Sequence, residues 1–156
     1  MNFTPRCNRA IESAKASLTR FGHSHISSAH LILGLLELQG GVAVNVLLKF
    51  GISIEVVEHF LSIRRSSTED APTQDGSLIG KSAEVAFKRA EAASHKLDHT
   101  YVGTEHLLLG IFIEDTGEAA DLFASLHVDG KAIGFEVFRE IAPMELWAKP
   151  PKDEIS

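Results

Sequence analysis

The chain repeats itself. Residues His23–Gly34 (HSHISSAHLILG) return as His99–Gly110 (HTYVGTEHLLLG) at an offset of 76. Five of the twelve pairs are identical: His23/His99, His30/His106, Leu31/Leu107, Leu33/Leu109 and Gly34/Gly110. Four more exchange Ser for Thr or one branched aliphatic residue for another. Without a gap, the same offset pairs Ala10 with Ala86, Ala14 with Ala90, Gly41 with Gly117, Ala43 with Ala119 and Ile52 with Val128. Self-similarity at a fixed period is the mark of a repeated structural unit. The chain reads as a tandem duplication, repeat one over 3–61 and repeat two over 79–141.

Each repeat reads as four helices. Thr4 is a good N-cap, and Pro5 suits the first helical position, where its missing N–H costs nothing. Phe3, Cys7, Ala10, Ala14, Leu18 and Phe21 then recur at helical spacing and mark one buried stripe. Gly22 ends that helix. Ser27 or Ser28 caps a second helix, Leu31–Leu38, which is apolar nearly all round and therefore central. Gly34 within it permits a close helix crossing at some cost in propensity. Gly40-Gly41 opens a third helix through Leu48, Gly51 closes it, and Ser53 caps the fourth. Repeat two follows suit. Ala83, Ala86, Phe87, Ala90 and Leu97 form the stripe, Asp98 the turn and Thr104 a cap. Leu107–Ile113 is the central helix, 117–125 the third and 129–141 the fourth. No stretch keeps the period-two alternation of a strand. The expected class is all-α: two tandem four-helix repeats packed about a pseudo-twofold axis, since two units in an open array would expose apolar ends.

Between the repeats, residues 62–78 are polar, rich in Ser, Thr and Asp, and aperiodic, as in an exposed, mobile linker. One domain over 1–147 is expected, followed by a flexible tail at 148–156. Trp147 is expected to pack back onto that domain. The formal net charge of −6 argues against a nucleic-acid partner, which needs a basic face to displace counterions. Residues 1–61 carry five Lys/Arg against four Asp/Glu, whereas 79–156 carry eight against fourteen. Any preference for a cationic partner therefore belongs to the second half. No apolar run approaches the roughly 18 residues of a membrane span, and the N-terminus has no apolar h-region of a signal peptide. The single cysteine, Cys7, excludes an internal disulfide and falls on an apolar helix face, as a small core residue does. A soluble cytoplasmic protein is expected.

Motifs with catalytic or cofactor chemistry are weak. Gly76-Ser-Leu-Ile-Gly80-Lys81-Ser82 invites a P-loop reading, but the phosphate cradle needs four residues between its glycines and three are present. His95 and His99, four apart near a helix end, suit a zinc pair sterically, yet no HExxH pattern supplies a third ligand. His30 and His106 are repeat-equivalent, which favours a structural role such as bonding the preceding turn. No GxSxG or other nucleophile motif is legible. The reading is a non-enzymatic chain with no cofactor and no metal.

The residues HTYVGTEHLLLG at 99–110 resemble the "GHxxIGTEHLLLGLL" signature of the N-terminal repeat domain of Clp/Hsp100 protein-remodelling ATPases. Phe3-Thr4-Pro5-Arg6 is similar to that family's FTxRA-type helix start, and Gly40–Leu47 (GGVAVNVL) resembles its "GEGVAARVL". The likeness covers about 3–141. It implies an eight-helix fold that recruits substrates or adaptors for an unfoldase–protease machine, and partners among Clp/Hsp100 ATPases, Clp proteases or their clients. Taken as complete at Ser156, the chain is expected to be a stand-alone adaptor, regulator or accessory subunit. Some members bind phosphoarginine at two equivalent sites, one per repeat. There the Glu of GTEH holds the guanidinium, and the threonine opening the repeat's first helix helps hold the phosphate. A carboxylate suits a guanidinium in two-point geometry, and a helix N-terminus suits an anion. Here repeat one keeps Thr4 but has Ala29 in place of the Glu. Repeat two keeps Glu105 but opens with Gly80-Lys81-Ser82. With Lys81 or Ser82 substituting at the phosphate, repeat two is the better candidate as a reader of a modified peptide.

Overall fold

The computed structural model describes residues 1–112 and 117–142. Among the described residues eight α-helices run in chain order: α1 (Pro5–Phe21), α2 (Ser28–Leu36), α3 (Val42–Lys49), α4 (Ile54–Ser62), α5 (Lys81–Lys96), α6 (Thr104–Phe112), α7 (Glu118–Ser125) and α8 (Gly130–Ile141). Ile113, Trp147 and the tail at 148–156 lie outside the described residues.

Local chemistry sets these boundaries. Thr4 accepts from the Cys7 N–H as the cap of α1, and Gly22 closes that helix in the left-handed region at φ 68°. Ser53 and Asp129 cap α4 and α8 through their side chains. Helix α2 starts three residues earlier than its apolar run suggests because Ser27 and His30 form a reciprocal cap. Thr104, by contrast, is not a cap. It is the first residue of α6, and its hydroxyl donates to Glu105 Oε2 at 2.7 Å.

Two close crossings organise the core. Helix α1 lies across α2, and α5 across α6, each through a glycine on an alanine pair. A Cβ at Gly34 would run into the Ala10 carbonyl oxygen and come within 3.2 Å of the Ala14 nitrogen. At Gly110 it would meet the Ala86 carbonyl oxygen and the Ala90 nitrogen, the latter at 2.8 Å. The two contacts are related by the offset of 76, so the duplication preserves the packing as well as the sequence. All of α2 is buried, and so is every residue of α6 except Glu105.

The repeats interlock rather than merely abut. Phe3 pairs in parallel with Val102, and Ile26 with Ile79, as two isolated bridges. Thr4 N–H donates to Val102 O at 3.0 Å, and Gly80 N–H to Ile26 O at 2.8 Å. These bridges map onto each other under the same offset, as a pseudo-twofold axis requires. The segment opening each repeat is thus stitched to the α1–α2 or α5–α6 loop of the other repeat. Helix α1 accordingly packs on α6, and α5 on α2.

Most of residues 62–78 are exposed, but one residue of the segment is buried. Thr68–Asp70 forms a 3-10 turn, and Asp70 is only 7% exposed. Its partners lie in α5 and in the loop before α2, so polarity alone gave no sign of its burial.

Candidate functional site

The exchange of segments between repeats decides which candidate residues meet. Thr4 opens α1 and Glu105 lies in the first turn of α6, and the bridge between Phe3 and Val102 brings the two helix starts together. A Cβ at Gly103 would lie 3.8 Å from Glu105 Oε1 and 3.8 Å from Thr4 Cγ2, so the two side chains flank that glycine. Both are half-buried. The Glu105 carboxylate is close enough to α1 to act on Cys7. Burial, and secondarily that negative charge, pushes the Cys7 thiol up to about 12. Arg6, in the same first turn, donates to Gly40 O at 2.5 Å and so ties the start of α1 to the turn before α3.

Lys81 and Ser82 stand at the other, pseudo-equivalent interface. Ser82 Oγ accepts from the Ser28 N–H at 3.0 Å, and Ser28 Oγ accepts from the Ala119 N–H at 2.8 Å. A cleft of about 490 Å³ opens here, lined among others by Ser28, Arg64, Asp70, Lys81, Ser82 and Glu118. Among the described residues that line it, Glu105 is absent. Pairing within a repeat, as the sequence suggests, is therefore not what the fold does. Thr4 meets Glu105 across the repeats, and Ser82 meets the segment around Ala29, with Lys81 lining the same cleft. One interface keeps both members of the pair, and the other has replaced both. The bridging pattern that reveals this consists of pairings distant in sequence, which the apolar pattern of a single repeat does not specify.

The repeat-equivalent histidines are structural links with defined tautomers. The Ser27 N–H donates to His30 Nδ1 at 2.9 Å, so that nitrogen carries no proton. His30 Nε2–H must then donate to His23 Nδ1, 2.7 Å away, leaving His23 Nε2–H to donate to Arg64 O at 2.8 Å. In repeat two the Gly103 N–H donates to His106 Nδ1 at 2.9 Å, and His106 Nε2 lies 2.7 Å from His99 Nδ1. The His99 ring also stacks on Tyr101. Burial, then the neighbouring His23 and His25, lowers His30 to about 3. His106 is lowered as well, chiefly by burial and then by His99.

Comparison with known proteins places this architecture. The pattern of the family described as the Clp repeat (R) N-terminal domain matches residues 2–126. A probable ATP-dependent Clp protease ATP-binding subunit of Chlamydia pneumoniae is 34% identical over 152 residues, covering 95% of this chain and 18% of that protein. The ClpB chaperone protein of Oceanobacillus iheyensis is 31% identical over 130 residues, 81% of this chain and 15% of its own length. The chain thus spans less than a fifth of these relatives. In three dimensions it is similar to the N-terminal domain of ClpD from Arabidopsis thaliana, with a TM-score of 0.72 and 24% identity over 90% of this chain and 94% of that one. The Hsp104 N-terminal domain of Candida albicans gives 0.69 at 15% identity, over 88% and 90% of the two chains. With the matched pattern covering most of its length, the chain belongs to the Clp repeat (R) N-terminal domain family.

Proposed function

We propose that this chain is a cytoplasmic, non-catalytic protein-interaction module of a Clp/Hsp100 unfoldase–protease system, working as an adaptor, regulator or accessory subunit. The observation that supports it best is the family match over residues 2–126 on an interlocked double repeat whose helix starts are paired across the repeats. Its partners are then a Clp/Hsp100 ATPase, a Clp protease or their client proteins. Affinity capture from the native cell with the purified chain should enrich a Clp ATPase, protease subunit or client. Capture that enriches none of these removes the reading.

A second reading, capture of phosphoarginine or a similarly modified peptide, draws on one further observation. Thr4 and Glu105, held in different repeats, flank Gly103 together. Glu105 supplies a carboxylate for a guanidinium, and the N-terminal turn of the 17-residue α1 supplies a positive dipole end for a phosphoryl group. Calorimetry with phosphoarginine should give binding that Glu105→Ala abolishes. Binding that is absent, or is indifferent to that substitution, rules this version out. Lys81 and Ser82 are the candidates at the second interface.

A further inference from the structure

The two inter-repeat interfaces are equivalent by position but are not filled alike. At the second, α5 opens at Gly80 with no side-chain cap of its own. The linker fills that role. Asp70 Oδ1 accepts from the Ser82 N–H at 2.6 Å, placing a carboxylate on the positive end of a 16-residue helix. Asp70 Oδ2 has no hydrogen bond and faces His25 Nε2 at 3.4 Å, with both residues more than nine-tenths buried.

Six residues upstream, the same segment delivers a cation. Arg64 Nε lies 2.8 Å from Glu118 Oε2, and its Nη2 lies 3.0 Å from Asp121 Oδ2, both in the first turn of α7. Backbone contacts hold the segment between these ends. Arg64 O accepts from His23 Nε2–H at 2.8 Å, and Ser66 Oγ accepts from the Ser24 N–H at 2.7 Å. Arg64, Ser67, Glu69 and Asp70 line the cleft of about 490 Å³ that runs past Ser28, Lys81 and Ser82. Under the offset of 76, position 70 corresponds to Leu146, so the Asp70 carboxylate is not repeated.

We propose that Arg64–Asp70 is an intramolecular ligand of the second cleft: it presents a carboxylate to the start of α5 and a guanidinium to Glu118 and Asp121, and so takes up that cleft's binding groups, leaving the Thr4–Glu105 interface as the one available to an external ligand. This rests on the reading of the inter-repeat interfaces as ligand sites. A tethered group competes at an effective concentration on the order of millimolar, so an external anion of modest affinity loses to Asp70. The domain then has one usable site where its architecture provides two.

Amide NMR during a phosphoarginine titration tests this, with Cys7 and Glu105 reporting the first interface and Ser82 the second. The unaltered chain should respond at Cys7 and Glu105 only, and Asp70→Ala should add a response at Ser82 with affinity raised at least about tenfold. Equal responses at both interfaces in the unaltered chain overturn the proposal. So does a folded Asp70→Ala chain that stays silent at Ser82. Should Asp70→Ala fail to fold, Asp70→Asn keeps an oxygen for the Ser82 N–H but removes the competing charge. It should still gain at Ser82, and no gain refutes the plug. A Ser82 response confined to the Asp70 variants, with none at Cys7 and Glu105, upholds the plug and sinks the first-interface reading.

Discussion

Gly34→Ala sets helix propensity against packing, and the structure says which wins. On propensity alone the change should help, because alanine is favoured over glycine inside a helix by about 1 kcal/mol. The added Cβ, however, lands on the Ala10 carbonyl oxygen, with the Ala10 carbonyl carbon at 3.0 Å and the Ala14 nitrogen at 3.2 Å. These are backbone atoms, so no rotamer change relieves the overlap and α1 must move off α2. Overpacking costs about 1–3 kcal/mol, and a backbone obstacle belongs at the upper end. The net is a loss of roughly 2 kcal/mol, or about 4–8 °C in Tm for a chain of this size. Urea unfolding should show a lower midpoint with an unchanged slope. Gly40→Ala is the control, since a Cβ there meets nothing within 4 Å and the residue is not in the left-handed region. It should stay within about 0.5 kcal/mol of the parent. Adding Ala10→Gly to Gly34→Ala should bring no rescue, because the obstacle is the carbonyl and not the methyl. A Gly34→Ala chain as stable as its parent, or a rescue by Ala10→Gly, would refute the argument.

Two further outcomes follow from buried titratable groups. His30 is lowered from 6.5 to about 3, so it stays neutral in the fold while the unfolded chain takes up a proton. Its contribution is complete above pH 6.5 and is lost as pH falls toward about 3, at up to about 1.4 kcal/mol per pH unit, with His106 adding in the same direction. Urea midpoints measured from pH 7 to 4 should fall, and His30→Asn should flatten that slope; a midpoint independent of pH contradicts the assignment. Cys7 is fully buried and its thiol is pushed up to about 12, so a thiol-reactive disulfide reagent at pH 8 should leave it untouched in the native state and label it only after unfolding.

Much of the fold is legible because its determinants are local or repeat-equivalent. Thr4, Pro5 and Gly22 fix the ends of α1 through their own backbone preferences, and Asp98 takes the left-handed turn at φ 58° where repeat one uses a glycine. Gly34 and Gly110 mark close crossings because they recur in register with Ala10, Ala14, Ala86 and Ala90. Thr104 misleads for a physical reason: a threonine before an apolar run reads as a cap, yet Gly103 stands where Ser27 stands in repeat one. The His106 bond to the Gly103 N–H starts the helix there without a capping hydroxyl.

The candidate site is less legible, and the reason is general to duplicated chains. An offset states which residues are equivalent, but it does not say which copy a segment packs upon. A closed repeat and an exchanged one share the same apolar pattern, because Phe3 and Ile79 offer the same surface to Val102 and Ile26 in either arrangement. The choice between them lies in bridges such as Thr4 N–H to Val102 O, which join backbones ninety-eight residues apart. Exchange changes the meaning of each substitution. Within repeats, Ala29 and Gly80 would each spoil a different site and leave two half-sites. Across repeats, both fall at one interface, and the other keeps Thr4 with Glu105. Both changes fall at one interface, and it is there that the linker brings in Asp70 and Arg64. The asymmetry of the two halves is thus an asymmetry of two interfaces, each built from both halves.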